Sequence, residues 1–294
     1  MEHDINRTSQ TAAGSDVRAM ALCLGAMVLM QSGMALSLPW VRSIGPLHVS
    51  AIRFAYAAFL AAAWACVRDV RGWNWQIGLV AIPLGTAMAG MGILFAVAIA
   101  RIPLGLATSI EFLGPMAVAV VSRRKPVTLL LAMTAMAGVL LILGVHESVD
   151  MNVGTAAAFA AACCWAAYIV TTKKLANASA GGVHGYAFAL STAAIVSALA
   201  SPMESSSVMV DLHSAAWLAA VAILYPLLPY AMELTALRTM TKHRFGMLTS
   251  MEPVVAVAIG AVILGQSLSR WQSLGVLLIV LSNAGVAFFG RPRK

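Results

Sequence analysis

The chain has 294 residues, of which 61% are hydrophobic and only 10% charged, with a formal net charge of +8. Soluble domains carry roughly 25% charged residues, so too little polar side chain remains here to coat a water-soluble globule. The basic excess also lacks the single folded face or recognisable module that marks a nucleic-acid binder.

A bilayer core of ~30 Å is crossed by a helix of ~20 mostly apolar residues. Apolar runs broken by charge, Gly or Pro predict ten such spans: 19–41, 47–67, 75–99, 103–121, 127–145, 153–172, 183–200, 214–236, 245–264 and 270–289. A polar tail, 1–18, precedes them, a basic end, 290–294, follows, and the short connections leave no room for a soluble domain. The first run is long for the apolar part of a signal peptide and follows a polar stretch, so it reads as a spanning helix.

Basic residues settle the expected orientation. One set of faces holds Arg7 and Arg18, Arg68 and Arg71, then Arg123, Arg124 and Lys125. It continues with Lys173 and Lys174, Arg238, Lys242 and Arg244, and finally Arg291, Arg293 and Lys294. The opposite faces hold only Arg42, Arg101 and Arg270, beside Glu147, Asp150, Glu204 and Asp211. Positive loops stay cytoplasmic, so both termini are expected in the cytoplasm.

Cys23, Cys66, Cys163 and Cys164 fall within spans and form no C-x-x-C pair, so they read as small packing residues. His3, His48, His146, His184, His213 and His243 lie in loops or near span ends without metal-ligand spacing. Neither a phosphate loop, a nucleophilic triad nor a redox motif is present. No metal, no cofactor and no enzymatic activity are expected.

The chain repeats itself. Thr108, Ser109, Ile110 and Glu111 match Thr249, Ser250, Met251 and Glu252, and Pro115 and Pro253 follow the two acids. GVLLIL at 138–143 matches GVLLIV at 275–280. The halves are then 19–145 and 153–289, five spans each. An odd count inverts the second half relative to the first, as in transporters whose solute site lies near the midplane between repeats. The expected fold is an all-α integral membrane protein of ten transmembrane helices in two inverted five-helix repeats.

On these residues the chain resembles the EamA-repeat members of the drug/metabolite transporter superfamily, and within them the bacterial threonine/homoserine exporters. The likeness is carried by IEFLGP at 110–115, SRRKP at 122–126 and CWAAY at 164–168. LPYAME at 228–233, FGMLTSMEP at 245–253 and ILG at 263–265 extend it to nearly the whole chain beyond the polar tail. Many members carry Trp midway along the first helix; Gln31 stands there, as in the exporter subgroup. Gln266 stands where a Glu is common. The resemblance implies export of small amino acids or related metabolites, driven by protons, from the bacterial inner membrane. Composition and periodicity alone reach only a transporter. Another cargo (a different amino acid, a nucleobase or a drug cation) and a non-transporting receptor or assembly subunit stay open. Short cytoplasmic ends make a monomer the expectation.

Ionisable groups inside a bilayer are costly and usually have a role or a partner. Arg53, Glu111, Glu233 and Glu252 fall within spans. Glu111 and Glu252 each lie roughly 10–12 Å deep at 1.5 Å per residue, entering from opposite faces. Pro115 and Pro253 deprive the carbonyls of Glu111 and Thr249 of their helical bonds, and Pro226 and Pro229 bend the eighth helix beside Tyr225 and Tyr230. An amino acid's ammonium is expected at Glu111 or Glu252 and its carboxylate at Arg53 or neutral donors. Gln31, Trp165, Tyr168 and Tyr230 would form the walls. Plainer readings stand beside these. Arg53 can pair with a Glu to hold helices, Glu111 and Glu252 can serve packing or gating, and Glu233 can pair with Arg238. Trp165 and Tyr168 can be packing residues, and the methionines flexible apolar filler.

Overall fold

In a bilayer every backbone N–H and C=O must be satisfied within the protein, so long apolar runs fold as helices. The computed structural model describes residues 2–68, 75–122, 126–143, 152–177, 182–203, 211–229, 232 and 248–289, and among them there is no strand. The helices are α1 (Glu2–Ser43), α2 (Pro46–Arg68), α3 (Trp75–Ile99), α4 (Leu104–Glu111), α5 (Leu113–Ser122) and α6 (Pro126–Leu143). They continue with α7 (Val153–Asn177), α8 (Val183–Ala200), α9 (Leu212–Ala222), α10 (Glu252–Leu264) and α11 (Arg270–Phe289). Five segments are long and apolar enough to cross a membrane: Arg18–Ser43, Pro46–Arg68, Trp75–Ile99, Val153–Thr172 and Val183–Ala200. Shorter apolar helices are Leu104–Val118, Pro126–Leu141, Leu212–Leu227 and Glu252–Leu264.

Three spans depart from a single straight rod, each beside proline. The fourth is two helices, α4 and α5, parted at Phe112, three residues before Pro115, whose ring blocks the bond to the Glu111 carbonyl. The eighth runs from α9 into a wider π-helical turn, Ile223–Leu227, in which Tyr225 has extended angles, φ −158° and ψ 116°, just before Pro226. In the ninth, α10 begins only at Glu252, with Pro253 in its first turn, where a missing N–H removes no helical bond. The first helix starts earlier than its apolar run, at Glu2.

Side chains at the helix ends account for several boundaries. The Asp211 carboxylate caps α9 by accepting from the Ser214 N–H at 3.1 Å. Asn152 caps α7 through the Thr155 N–H at 2.9 Å. Ser269 and Gln272 form a reciprocal capping box at the start of α11. Gly265 closes α10 in the left-handed region, φ 63°.

Small residues let the helices approach closely, as membrane helices without a hydrophobic drive to associate require. The α3 helix lies along α7 and α8, α2 along α8, α6 along α11, and α4 against α7 and α10, while α1 contacts α9 and α10. A Cβ on Gly138 would stand 2.7 Å from the Gly275 carbonyl oxygen, and one on Gly114 would overlap the Ala162 carbonyl. The second contact presses α5 onto α7 beside the region where the acidic side chains meet.

Candidate functional site

The α1, α3, α4, α7 and α10 helices and the bent end of α9 surround one cavity of about 60 Å³. Glu111 comes from the last residue of α4 and Glu252 from the first of α10, so both acids lie at helix breaks made by their following prolines. Each is only 7% exposed. Gln31, on α1, donates from Nε2 to Glu252 Oε1 at 3.1 Å, and the Thr108 hydroxyl, which donates to the Leu104 carbonyl at 2.9 Å, stands 3.5 Å from Gln31 Oε1. Thr108 is one turn before Glu111, so a chain of polar side chains links the two acid-bearing helices through α1.

Aromatic rings close the sides. Trp165 and Tyr168, three residues apart on α7, line the cavity, with Tyr225 and Phe95. The Trp165 ring meets Phe112 edge-on, centroids 5.0 Å apart at 86°. Phe112 is the residue at which α4 and α5 part, so the break that places Glu111 also seats this wall. Met30, Met34 and Met91 fill the remainder of the lining. No basic residue lines the space among the described residues, so its electrostatics favour a cationic group. The aromatic faces would strengthen that preference through cation–π attraction.

Far from the cavity, a second tie joins the same two helices. The left-handed turn at Gly265 aims Gln266 across to α4, where its Oε1 accepts from the Leu104 N–H at 2.9 Å. Leu104 is the first residue of α4, and its N–H has no partner within the helix.

Five of the expected site residues therefore share one cavity: Gln31, Glu111, Trp165, Tyr168 and Glu252. Tyr230 and Glu233 lie outside the described residues. Arg53 is buried but does not line the cavity, and among the described residues it is hydrogen-bonded to no carboxylate. Sequence reasoning missed Thr108, Phe95 and the cavity-facing methionines. Thr108 was within reach, being in the repeated tetrapeptide at helical spacing from Glu111; Met91 and Phe95, four apart on α3, share a face by the same rule.

Residues 152–288 match the EamA-like transporter family. Threonine/homoserine exporter RhtA of Salmonella typhimurium (strain SL1344) is 34% identical over 274 residues, covering 88% of each chain. The chain belongs to the EamA-like transporter family. The Escherichia coli (strain K12) protein of the same name is 31% identical over 280 residues, 90% of each chain. A solved crystal structure shares the fold with a TM-score of 0.63 over 93% of this chain and 97% of its own, at 22% identity. Within this EamA-like chain the family match covers the second acidic motif, Glu252 with Pro253, together with Trp165 and Tyr168.

Proposed function

We propose that this protein is a secondary transporter of the bacterial inner membrane that exports small amino acids of the threonine and homoserine type. The observation that carries the reading is the pair Glu111 and Glu252, equivalent in the two sequence repeats, facing one aromatic-walled cavity with Glu252 held by Gln31. An ammonium group binds between the acids, and Trp165, Tyr168 and the methionines enclose the rest of the cargo. The names of the Salmonella and Escherichia relatives support the cargo class.

Alternating access between two inverted halves, with both termini cytoplasmic, completes the reading. The odd number of predicted spans in each half and the basic loops support the inversion and the side of the termini, and the order of helix contacts supports the pairing of the halves. Exchange each helix for its counterpart five spans away, so that α1 becomes α7, α2 becomes α8, α3 becomes α9, α4 becomes α10 and α6 becomes α11. The contact of α3 with α7 then becomes that of α9 with α1, and α2 with α9 becomes α8 with α3. The contact of α4 with α7 becomes that of α10 with α1, while α2–α8, α4–α10 and α6–α11 map onto themselves. Coupling to protons is assigned to the same acids, which bind either a proton or an ammonium.

Tracer efflux from proteoliposomes loaded with labelled threonine or homoserine tests the reading. Saturable release that quickens with an imposed pH gradient is expected. Normal export with unchanged pH dependence in both Glu111→Gln and Glu252→Gln would end the proton-carrier role. Among the described residues no cation lines the cavity, which favours one alternative, an organic amine as cargo, and the same vesicles loaded with amines examine it.

A further inference from the structure

Arg53, on α2, is 1% exposed and is held by one of its three nitrogens. Nη1 donates to Met34 Sδ at 3.0 Å and to Ser37 Oγ at 3.3 Å. The Tyr225 ring covers the guanidinium, with Cζ 4.8 Å from the ring centroid. Among the described residues the other two nitrogens, Nε and Nη2, are buried without a hydrogen-bond partner, and so is the Ser50 hydroxyl one helical turn earlier on α2. Nε and Nη2 form one edge of the guanidinium, presenting two parallel N–H groups of the spacing that a carboxylate accepts in bidentate fashion. A buried charge without a partner is costly to keep. Here that charge is anchored at the far nitrogen, its carboxylate-shaped edge is left open among the described residues, and an unpartnered hydroxyl stands one helical turn away on the same helix.

The guanidinium is one side chain away from the cavity. Met34 and Tyr225 touch the guanidinium and also line the cavity. Both are able to give way. Met34 is unbranched, with three rotatable bonds, and Tyr225 is carried by a stretch with extended angles rather than by a regular helical turn. On α1, Gln31 holds Glu252 and Met34 holds Arg53, three residues apart on one face.

We propose that the Nε and Nη2 edge of Arg53, with the Ser50 hydroxyl, receives the carboxylate of a zwitterionic cargo, and that Tyr225, over the guanidinium face, and Met34, on Nη1, separate the group from the cavity until the cargo displaces them. The proposal rests on the reading of the cavity as a cargo site. Ring and sulfur contacts satisfy the guanidinium weakly, and charge-assisted bidentate hydrogen bonds replace them at a gain. An amine without a carboxylate has nothing to offer the edge and leaves Tyr225 and Met34 in place. The acids thus accept any cation, while Arg53 selects amino acids among them.

Calorimetric titration of the purified full-length protein in detergent, with threonine and with threonine methyl ester, tests this. The ester keeps the ammonium and hydroxyl but not the charged carboxylate. Wild type binds threonine more tightly than the ester. Arg53→Met weakens threonine binding by about 10- to 150-fold, the worth of hydrogen bonds to a charged group, and leaves the ester unchanged. Ser50→Ala shifts the same ratio by less. The unliganded Arg53→Met protein melts at or above the wild-type temperature, since an uncompensated charge has been removed. Equal losses for threonine and ester, or a lowered melting temperature with discrimination intact, overturn the proposal and make Arg53 a structural residue while the cargo reading stands. Failure of wild type to bind either compound removes the cargo reading, and the proposal with it.

Discussion

The α5–α7 contact allows one substitution, Gly to Ala, to be given opposite signs at two positions. In a helix interior the change gains about 1 kcal/mol of propensity. At Gly114 the added Cβ would meet only backbone: it overlaps the Ala162 carbonyl oxygen and stands 3.0 Å from Ala162 C and 3.3 Å from its Cα. No rotamer change relieves such contacts, so α5 must move off α7 at an overpacking cost of about 1–3 kcal/mol. At Gly25 the new Cβ would meet a single atom, Met232 Cε at 2.9 Å, the far end of a flexible side chain. There the propensity gain survives. Gly25→Ala is therefore expected to be neutral or stabilised by up to about 1 kcal/mol, and Gly114→Ala to be destabilised by up to about 2 kcal/mol, near 30-fold in the folded-to-unfolded ratio. Reversible unfolding in mixed detergent, followed by tryptophan fluorescence, measures both. Because Phe112 immediately precedes α5 and meets Trp165 of α7 edge-on, Gly114→Ala should also shift the emission of the folded protein. A Gly114→Ala protein as stable as Gly25→Ala would refute the packing argument.

Gln31→Leu removes the donor to Glu252 and should lower cargo affinity by about 10- to 150-fold, read by titration with threonine. Gln266→Ala leaves the Leu104 N–H without its acceptor and should cost about 0.5–2 kcal/mol, as lost helix caps do. Gln266→Glu keeps an acceptor and adds a negative charge at a helix N-terminus, so its unfolding curve should match or exceed wild type. Hydrogen bonds from the Ser214 side chain and backbone hold the Asp211 carboxyl below the usual carboxylate range. A carboxyl lowered on folding stabilises above its unfolded value and loses that contribution as the pH falls through its folded one. Proteolysis or hydrogen exchange at the start of α9 should therefore report loosening under strong acid in wild type. In Asp211→Asn, which keeps the cap and loses the charge, this dependence should vanish.

The apolar runs were legible because burial in a bilayer needs only length and composition; five of them are helices long and apolar enough to cross a membrane, while α1 begins at Glu2, before its run. The convergence of Glu111 and Glu252 was legible too, through depth from opposite faces and a shared tetrapeptide. Their helix breaks were readable from Pro115 and Pro253. What could not be read was which neighbour each side chain would find. Arg53 was expected at the solute, yet the bend at Tyr225 lays a ring across it, and the outcome depends on where α9 crosses α2. Gln266 attracted notice only for not being Glu. Its bond to Leu104 depends on the left-handed turn at Gly265 and on the nearness of α10 to α4, 162 residues away. Long-range placement of this kind leaves no local periodicity in the chain.

Three unbranched thioethers, Met30, Met34 and Met91, stand where stiffer side chains would have imposed a fixed outline. Threonine and homoserine are constitutional isomers, with the same atoms and the hydroxyl moved by one carbon. A rigid mould fitted to one would reject the other, whereas sulfur-tipped chains re-form around either. On the proposed reading, an exporter lined in this way would be a loose sieve for shape and a strict one for charge, and relieving a cell of several related surplus metabolites would need no second protein.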